Sequence, residues 1–546
     1  MKFTRWFNRK ATPQMTALAG QVQNDAGGYG YALDPWKQLD RFLVLGTCGG
    51  TYYVSEQKLT RDNAGVLEAL VRADPRRFVD KTVEISEQGR APKNDAAIFA
   101  LALAAAGETV EGRRYALAAL PRVCRTATHL FQFQEEAKEL RGRGPALKKA
   151  VARWYNEKAP RDVAYQVVKY REREGWTHAD VFNLARPNPE KARAEMVTDR
   201  AERKMLYRWI VDATAAPPIP VVEGFRMAQR ATAPTEWARL VRDFGLAREM
   251  LPTGALAHAE VWAALLEKMP MTAMLRNLGN MTKTGLLAPM SEAARTVAVR
   301  LEDGDALQAA RVHPLAVLFA MKTYAQGKGF RGHGEWEPVA EVVDALDAAF
   351  YAAFGNVVPS NQRILLALDV SGSMTSPLGG SALSCREAAA AMALVSMKTE
   401  PRAMIGGFTA GRGGYRLDAD VRDVSGFSPL KIGNRQRLDD VVRYTEHLAF
   451  GATDCSLPMR WAMTKGLEFD AFVVYTDNET WAGPQHPSEA LREYRRKTGI
   501  DSKLVVVAMT STGFTIADPK DPGMLDVAGF DTATPDVIGA FVRGEI

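Results

Sequence analysis

Apolar residues recur every three or four positions through most of the first 355 residues, which is the spacing of amphipathic helices. Examples are WKQLDRFLVLG, NAGVLEALVRA, DAAIFALALAAAG, GPALKKAVARWYNEK and HAEVWAALLEKM. Breakers such as GG at 49–50, GRG at 142–144 and APPIP at 216–220 separate the segments. Alternating β-branched runs are scarce, so this part is expected to contain no strands. Many helices joined by short turns predict stacked helix pairs, a HEAT-like array whose sequence period is degenerate.

The pattern changes after Ala353. Short, continuous apolar runs at 363–371, 403–410, 471–478 and 503–510 are typical of parallel strands that are covered on both faces. Between them lie helical stretches such as SCREAAAAMALVSMKTE and SEALREYRRKTG. This alternation predicts a doubly wound parallel sheet. Because one core rarely serves more than roughly 250–300 residues, we divide the chain into a helical domain (1–358) and an α/β domain (359–546).

Composition excludes several classes of protein. Hydrophobic residues make up 47% and charged residues 25% of the chain, which is typical of a globular protein. The longest purely apolar run, at 96–106, is far shorter than the ~20 residues of a membrane span. The N-terminus lacks the apolar stretch of a secretory signal. The four cysteines are widely scattered, so we expect neither disulfides nor a zinc site, and a cytoplasmic location without membrane contact.

The net charge of +6 is unevenly distributed. Residues 356–546 carry 20 basic and 23 acidic side chains, whereas residues 1–355 carry 50 and 41. The excess is densest at 138–173, where 11 basic residues stand against 4 acidic ones. Such a run can be a solvated helix face. It is also the pattern expected of a surface that binds phosphates.

The stretch ALDVSGSMT at 367–375 places oxygen side chains directly after an apolar strand. Asp369, Ser371 and Ser373 can leave one strand-to-loop turn toward the same point. Later loops add Thr453 and Asp477, and carboxylate and hydroxyl oxygens suit Mg²⁺ or a similar hard cation. Few of these donors are charged, so a bound ion would keep an open position for a carboxylate or phosphate of a partner. The alternative is that the serines merely cap a helix.

Catalytic interpretations fit less well. A phosphatase-like DxD motif would need an acid at position 371, where a serine stands, and a GxSxG elbow with a placed histidine is missing. A metal-dependent nuclease or phosphatase would use several carboxylates, which this oxygen set lacks. We therefore expect no enzyme activity.

Aromatic residues are interleaved with the basic run at 142–187. On a predicted helix over 161–173, Lys169 and Arg173 share one face, and His178 and Arg186 follow in the next helix. Trp154, Tyr155 and Trp176 could stack on unpaired bases or could simply fill the core between helices. The candidate RNA contacts are Arg141, Arg143, Lys148, Lys149, Arg153, Lys169, Arg173, His178 and Arg186.

The segment KYREREGWTHADVFNLARP resembles the signature helix pair of the Ro 60 kDa autoantigen family of TROVE-domain RNA-binding proteins. The segments at 36–53, 269–282, 313–336 and 345–359 resemble that family in the same order. The oxygen cluster resembles the metal-ion-dependent adhesion site of von Willebrand factor A (VWA) domains, carried over to Asp369, Ser371, Ser373, Thr453 and Asp477. Abundant alanine and arginine suggest a bacterial ortholog.

The resemblance implies a ring of HEAT-like helical repeats closed by the VWA domain, and a monomeric ring is expected, in which one chain forms the whole ring. It implies a noncatalytic protein that binds small noncoding Y RNA on its basic outer surface. Single-stranded 3′ ends of misfolded or precursor RNAs, such as rRNA, would enter the central hole, and a 3′-to-5′ exoribonuclease would be the partner in RNA quality control and stress survival. No DNA partner is expected. The alternative is a protein-binding scaffold whose metal site docks an acidic partner.

Overall fold

The fold is described from a computed structural model of the 546-residue chain. The described residues are 11–46, 55–192, 200–212, 216–329, 334–355, 357–378, 383–410, 426–446, 448, 451–531 and 533–546. They form two compact units: Glu68–Ala353, and a discontinuous unit in which the residues up to Leu67 join Phe354–Ile546. The boundary between Ala353 and Phe354 lies close to the domain boundary predicted from the sequence at 358/359. The described residues up to Leu67, however, belong to the compact unit of the C-terminal part.

The N-terminal part begins with a 3₁₀ turn at Pro13–Met15 and continues into two short strands and two helices. Strands β1 and β2 pair as an antiparallel ladder, so the expectation of no strands before residue 355 is wrong. Strands of three or four residues carry no readable periodicity, because their stability comes from pairing partners elsewhere in the chain. The elements are β1 (Gln21–Gln23), β2 (Tyr29–Ala32), α1 (Pro35–Leu45) and α2 (Glu56–Ala73).

Among its described residues, the compact unit from residue 68 to residue 353 forms helices and one two-stranded hairpin. Its elements are α3 (Pro75–Gln88), α4 (Asp95–Ala106), α5 (Val110–Val123), α6 (Ala127–Arg141), α7 (Pro145–Asn156), α8 (Pro160–Lys169), β3 (Glu172–Arg173), β4 (Trp176–Thr177), α9 (His178–Ala185), α10 (Arg200–Asp212), α11 (Pro220–Ala228), α12 (Pro234–Phe244), α13 (Ala259–Glu267), α14 (Met271–Lys283), α15 (Glu292–Glu302), α16 (Gly304–Ala309), α17 (Pro314–Ala325) and α18 (Ala340–Ala352).

Side-chain contacts at a constant separation reveal the helical repeat. The Tyr115 hydroxyl donates to Asp80 (2.6 Å), and Arg122 donates to Glu87 (2.8 Å), both across 35 residues. Arg141 donates to the carbonyl oxygen of Ala106 (3.0 Å) across the same separation. Thus α5 stacks on α3 and α6 on α4, as expected of paired helical repeats.

Two connections far apart in sequence meet within this helical unit. The His313 Nε2–H group donates to the carbonyl oxygen of Arg90 (3.0 Å), while Nδ1 accepts from the Leu315 amide (3.1 Å). The backbone of Gly89 packs against the side chain of Arg311. The turn after α3 therefore touches the turn before α17.

The C-terminal part contains a six-stranded sheet of order β11-β9-β8-β5-β6-β7, which is parallel except for β7. The four predicted strands are confirmed as β5, β6, β8 and β9, and the predicted fold class of helices plus α/β sheet is confirmed. The elements are β5 (Ile364–Asp369), α19 (Cys385–Thr399), β6 (Ala403–Phe408), β7 (Phe427–Pro429), α20 (Leu438–Glu446), α21 (Leu457–Lys465), β8 (Ala471–Thr476), α22 (Pro487–Thr498), β9 (Lys503–Ala508), β10 (Phe514–Thr515), β11 (Met524–Ala528) and α23 (Thr534–Arg543).

The N-terminal elements complete this discontinuous unit. Strand β2 pairs with β10. The buried guanidinium of Arg41 on α1 forms an ion pair with Asp526 on β11 and donates to the carbonyl oxygens of Thr512 and Phe514 (both 2.9 Å). Because the ion pair is buried, loss of either partner would leave an uncompensated charge.

The cysteines and the apolar helices bear on the expected cellular compartment. Cys124, Cys385 and Cys455 are buried free thiols, and Cys48 lies outside the described residues. In the described part of the chain, none of the helices combines the length and apolar character that crossing a bilayer requires.

Candidate cation site and nucleic-acid interface

The candidate cation site lies where two neighbouring strands end. Asp369 is the last residue of β5, and Asp477 directly follows the adjacent parallel strand β8. The Asp369 carboxylate is buried and accepts from the Ser371 amide (2.9 Å) and the Thr476 hydroxyl (2.7 Å). The two carboxyl groups are therefore brought to the same edge of the sheet, as the strand pattern predicted.

The turn after β5 holds the two serines together. The Ser371 and Ser373 hydroxyl oxygens are 3.1 Å apart, and both side chains are buried. The Gly372 amide donates to the carbonyl oxygen of Gly451 (3.2 Å), which joins this turn to the loop that carries Thr453. Arg386 on α19 supports the turn by donating to the carbonyl oxygens of Val370 and Ser371, a role that the sequence did not reveal.

Two buried oxygens of the cluster have no hydrogen-bond partner: Thr453 Oγ1 and Asp477 Oδ2. Thr453 is 0% and Asp477 1% exposed, so bulk water has little access to these two oxygens. An unpartnered buried oxygen is costly. A cation bound among these residues would satisfy both atoms, so the residues present fit the predicted ion.

Burial also disfavours the negative charge of both carboxyl groups. It raises the pKa of Asp369, against the opposing hydrogen bonds from Ser371 and Thr476. Burial and, after it, the charge of Asp369 together raise the pKa of Asp477 to about 7, against the opposing hydrogen bond from the Ser373 hydroxyl. A cation would supply the positive charge that this pair needs.

The donor set favours a hard cation. It consists of two carboxylates and three hydroxyl groups, and the described residues contain no cluster of three or more His, Cys, Asp or Glu able to hold a metal. Asp454 beside Thr453 is not part of the set. Its carboxylate accepts from the Ser456 hydroxyl (2.6 Å) and the Gln14 amide (2.8 Å) and contacts Arg460 (3.2 Å).

The candidate RNA contacts centre on the β3–β4 hairpin. The predicted helix over 161–173 is wrong beyond Lys169, because Glu174 and Gly175 have positive φ angles and form a two-residue turn that pairs Arg173 with Trp176. Lys169 and Arg173 consequently do not share a helix face. The Trp176 indole donates to Glu135 on α6 (2.9 Å) and thereby fixes the hairpin.

Cations surround this hairpin. The Arg143 guanidinium lies 5.0 Å from the centre of the Trp176 ring, and Arg173 is exposed on the strand that pairs with Trp176. The Lys169 ammonium lies 5.3 Å from the Tyr165 ring and 5.3 Å from the Tyr170 ring. Burial lowers the pKa of Lys169, but the two tyrosines and Glu249 outweigh it, so its pKa is raised and it stays charged.

The basic residues on α6 and α7 are placed by the repeat. Arg141 donates to backbone carbonyls of the preceding repeat, and Arg153 likewise donates to the carbonyl oxygen of Leu117 (2.6 Å). Lys149 is exposed and Lys148 is half-buried on α7. Arg186 is exposed at the end of α9, where its φ of 46° terminates the helix.

His178 is not on the surface, so its assignment as an RNA contact is wrong for this structure. It is 3% exposed, and its Nδ1 lies 2.9 Å from the Tyr155 hydroxyl. Burial lowers its pKa to about 4, so it is neutral at physiological pH. Trp154 and Tyr155 also fill the core, whereas Trp176 presents a face to Arg143.

Sequence reasoning missed one cation of this region. Arg171 is exposed and lies 5.4 Å from the ring of Phe225 on α11. Arg171 lies two residues from both Lys169 and Arg173. It faces Phe225 on α11 because α8 ends at Lys169 and the chain leaves the helix before residue 171. No pattern in the sequence marks where that helix ends.

Comparison with known proteins agrees with both halves. Residues 363–542 match the Ro60 vWA domain, and residues 22–216 and 239–323 match the TROVE domain. The chain belongs to the Ro60 family. It is 42% identical over 534 residues to the RNA-binding protein RO60 of Deinococcus radiodurans, covering 96% of each chain.

A second relative and a solved structure are also similar along nearly the whole length. The RNA-binding protein RO60 of Caenorhabditis elegans is 36% identical over 603 residues, which cover 96% of this chain and 91% of the relative. The crystal structure of Deinococcus radiodurans RO (RSR) protein matches with a TM-score of 0.68 and 41% identity, covering 94% of this chain and all of the other. The family resemblance drawn from the sequence is confirmed.

Proposed function

We propose that this protein binds RNA and catalyses no reaction on it. The observation that carries the proposal is the group of exposed guanidinium groups around the β3–β4 hairpin, Arg143, Arg171 and Arg173, with the charged Lys169 beside them. Fixed cations of this kind bind phosphates by charge, and planar guanidinium groups add paired hydrogen bonds. The names of the two RO60 relatives support the same function.

In its finer form, the proposal follows the family. Small noncoding Y RNA binds the basic outer surface, and single-stranded 3′ ends of misfolded or precursor RNAs enter a central hole. The protein then acts with a 3′-to-5′ exoribonuclease in cytoplasmic RNA quality control and stress survival, as one chain per ring.

We further propose a bound divalent cation, most simply Mg²⁺, held by Asp369, Ser371, Ser373, Thr453 and Asp477. The two unpartnered buried oxygens support it. The two carboxylates balance the charge of a divalent ion, and one oxygen from each of the five residues leaves one position of an octahedral ion open for a carboxylate or phosphate of a partner. Docking of an acidic protein partner is the second candidate function, favoured by this site alone.

The RNA proposal is tested by Lys169→Ala combined with Arg173→Ala. Loss of two phosphate contacts should weaken binding of structured RNA and reduce the slope of log K against log salt by about 2. Affinity is measured by filter binding at several salt concentrations. The RNA used is chosen by sequencing the RNA that co-purifies with the protein from its native cells.

The matched control removes the same charge elsewhere on the helical unit, through Arg239→Ala with Arg295→Ala, both exposed on α12 and α15. The control should keep the affinity and slope of the parent protein. Equal affinities of the hairpin variant and the parent at moderate salt would contradict the proposed interface.

A further inference from the structure

The N-terminal clamp, residues 12–28, lies along the loop that follows Asp477. The Asn24 side-chain amide donates to the carbonyl oxygen of Thr480 (2.8 Å), and the Ala26 backbone amide donates to the Glu479 carboxylate (2.8 Å). Further along, the Thr12 hydroxyl donates to the carbonyl oxygen of Trp481. A segment more than 450 residues away in sequence thus binds three consecutive residues of a cation-site loop.

Gln14 joins this loop to the loop that carries Thr453. Its side chain is 0% exposed. The amide nitrogen donates to Asp454 (2.8 Å) and to the carbonyl oxygen of Gln485 (2.7 Å). The amide oxygen accepts from the Thr480 hydroxyl. Three hydrogen bonds of one buried amide therefore reach the two loops that carry Thr453 and Asp477.

The backbone is shaped to admit this contact. A methyl group at Gly483 would collide with the Gln14 amide nitrogen and the Asp454 carboxylate, and one at Gly28 would collide with the carbonyl oxygen of Thr480. Glycine is the residue that allows such close approach. The N-terminal clamp therefore makes a close contact near each of its ends, at Gln14 against Gly483 and at Gly28 against Thr480.

The anchored residues are tied directly to the ligands. Asp454 is the neighbour of Thr453, and Thr480 follows Asp477 by three positions. The carbonyl oxygen of Thr453 accepts from the amides of Trp481 (3.1 Å) and Ala482 (2.9 Å), and the Thr480 hydroxyl accepts from the Cys455 amide (3.1 Å). A shift of Gln14 would therefore be passed to both loops.

We propose that Gln14 is a positioning residue for the cation site, which holds the Thr453 and Asp477 loops at the spacing that the ion requires. This inference rests on the proposed cation site. Residues that orient ligands from outside the coordination sphere typically change metal affinity by about tenfold to a hundredfold when they are removed. The N-terminal clamp is then a component of the metal site rather than a mere attachment of the chain end.

The test measures Mn²⁺ binding to the full chain from the electron paramagnetic resonance signal of the free ion. In Gln14→Ala the dissociation constant should rise about tenfold or more. Thr480→Val, which removes the hydroxyl that contacts Gln14 and keeps the side-chain shape, should raise it similarly. The double variant should raise the dissociation constant by less than the product of the two single changes, because both substitutions break the Gln14–Thr480 hydrogen bond while each also removes contacts of its own.

Tyr31→Phe is the matched control. Tyr31 is also a buried anchor of the N-terminal part, but its hydroxyl lies 3.1 Å from the hydroxyl of Ser488, which is on α22 and outside both ligand loops. This variant should lower the unfolding temperature and keep the Mn²⁺ affinity, which separates positioning from stability. Where Gln14→Ala does not fold, Thr480→Val decides.

The outcomes distinguish the two proposals. Binding that Asp369→Ala abolishes, with unchanged affinity in Gln14→Ala and Thr480→Val, would overturn the positioning role and leave the cation site in place. Failure of the parent protein to bind Mn²⁺ would overturn the cation site, and the role of Gln14 with it.

Discussion

Asp477 and His178 are both almost fully buried, and burial acts on their charges in opposite directions. A buried site disfavours whichever form is ionised, so it raises the pKa of the carboxyl group and lowers that of the imidazole. At Asp477, a bound cation would offset the nearby charge of Asp369 and would contact the Oδ2 atom, which has no hydrogen-bond partner. For His178, the Tyr155 hydroxyl satisfies one ring nitrogen, and the side chain serves the core in its neutral form.

Protonation of His178 should therefore destabilise the protein. Its pKa is lowered from 6.5 to about 4, so between these values the unfolded chain binds a proton that the folded chain does not. Stability falls as pH drops through this window, by up to about 1.4 kcal/mol per pH unit from this residue. Urea unfolding of His178→Gln between pH 7 and pH 4.5 should show a shallower loss than the parent protein.

Tyr155→Phe provides the comparison, because it removes the hydrogen bond and retains the imidazole. It should cost about 1 kcal/mol across the range and keep the pH dependence. If His178→Gln loses stability with pH as steeply as the parent protein does, His178 is not the titrating group.

At the scale of elements, the β3–β4 hairpin determines where the cations point. Its two-residue turn requires positive φ angles at Glu174 (53°) and Gly175 (71°). Glycine adopts this conformation freely, whereas a side chain with a branched Cβ is strained there. The hairpin thus follows directly after the end of α8 and places Arg173 opposite Trp176.

Gly175→Val should consequently reduce RNA affinity without removing any charge. The strain in the turn is about 1–2 kcal/mol, enough to open so short a hairpin and displace Arg173. Filter binding should give a loss comparable to that of Arg173→Ala. Glu174→Asp, which keeps the charge in a residue that tolerates the turn, should bind like the parent protein; equal binding by Gly175→Val would show that the hairpin does not orient the cations.

Several elements could be predicted because their signal is local. The apolar runs of β5, β6, β8 and β9 and the helical periodicity of α1, α4, α7 and α13 are visible in the chain itself. The end of α8 at Lys169 was missed because tertiary pairing of the hairpin overrides a helical pattern. The 35-residue repeat was also hidden, because it is recorded in the contacts of Asp80 with Tyr115 and Glu87 with Arg122 rather than in repeated letters.

For the whole molecule, the proposed cation site would link ion binding to folding. The placement of Asp369 and Asp477 could be predicted because each follows a recognisable strand, whereas the binding of an ion by the five oxygen-bearing residues stays a prediction. Arg386 and Gln14 were not, because they act through backbone carbonyls and loops far away in sequence. An ion that binds only when all these parts are assembled stabilises the folded chain by mass action.

We therefore expect Mg²⁺ to raise resistance to unfolding. At a free concentration one hundred times the dissociation constant, the gain is about 2.7 kcal/mol. Thermal and urea unfolding are compared in MgCl₂ and in EDTA with NaCl at equal ionic strength. Asp369→Ala should lose the gain; the same gain in that variant would show that Mg²⁺ acts elsewhere.

The pairing of β2 with β10 has a consequence for how the chain is made. A ribosome releases Tyr29–Ala32 long before it adds Phe514–Thr515, with the entire helical unit synthesised in between. At translation rates of about 5–20 residues per second, the early strand waits on the order of tens of seconds for its partner. A segment made early is thus among the last to find its place, and the discontinuous unit is completed only when strands made hundreds of residues apart can pair.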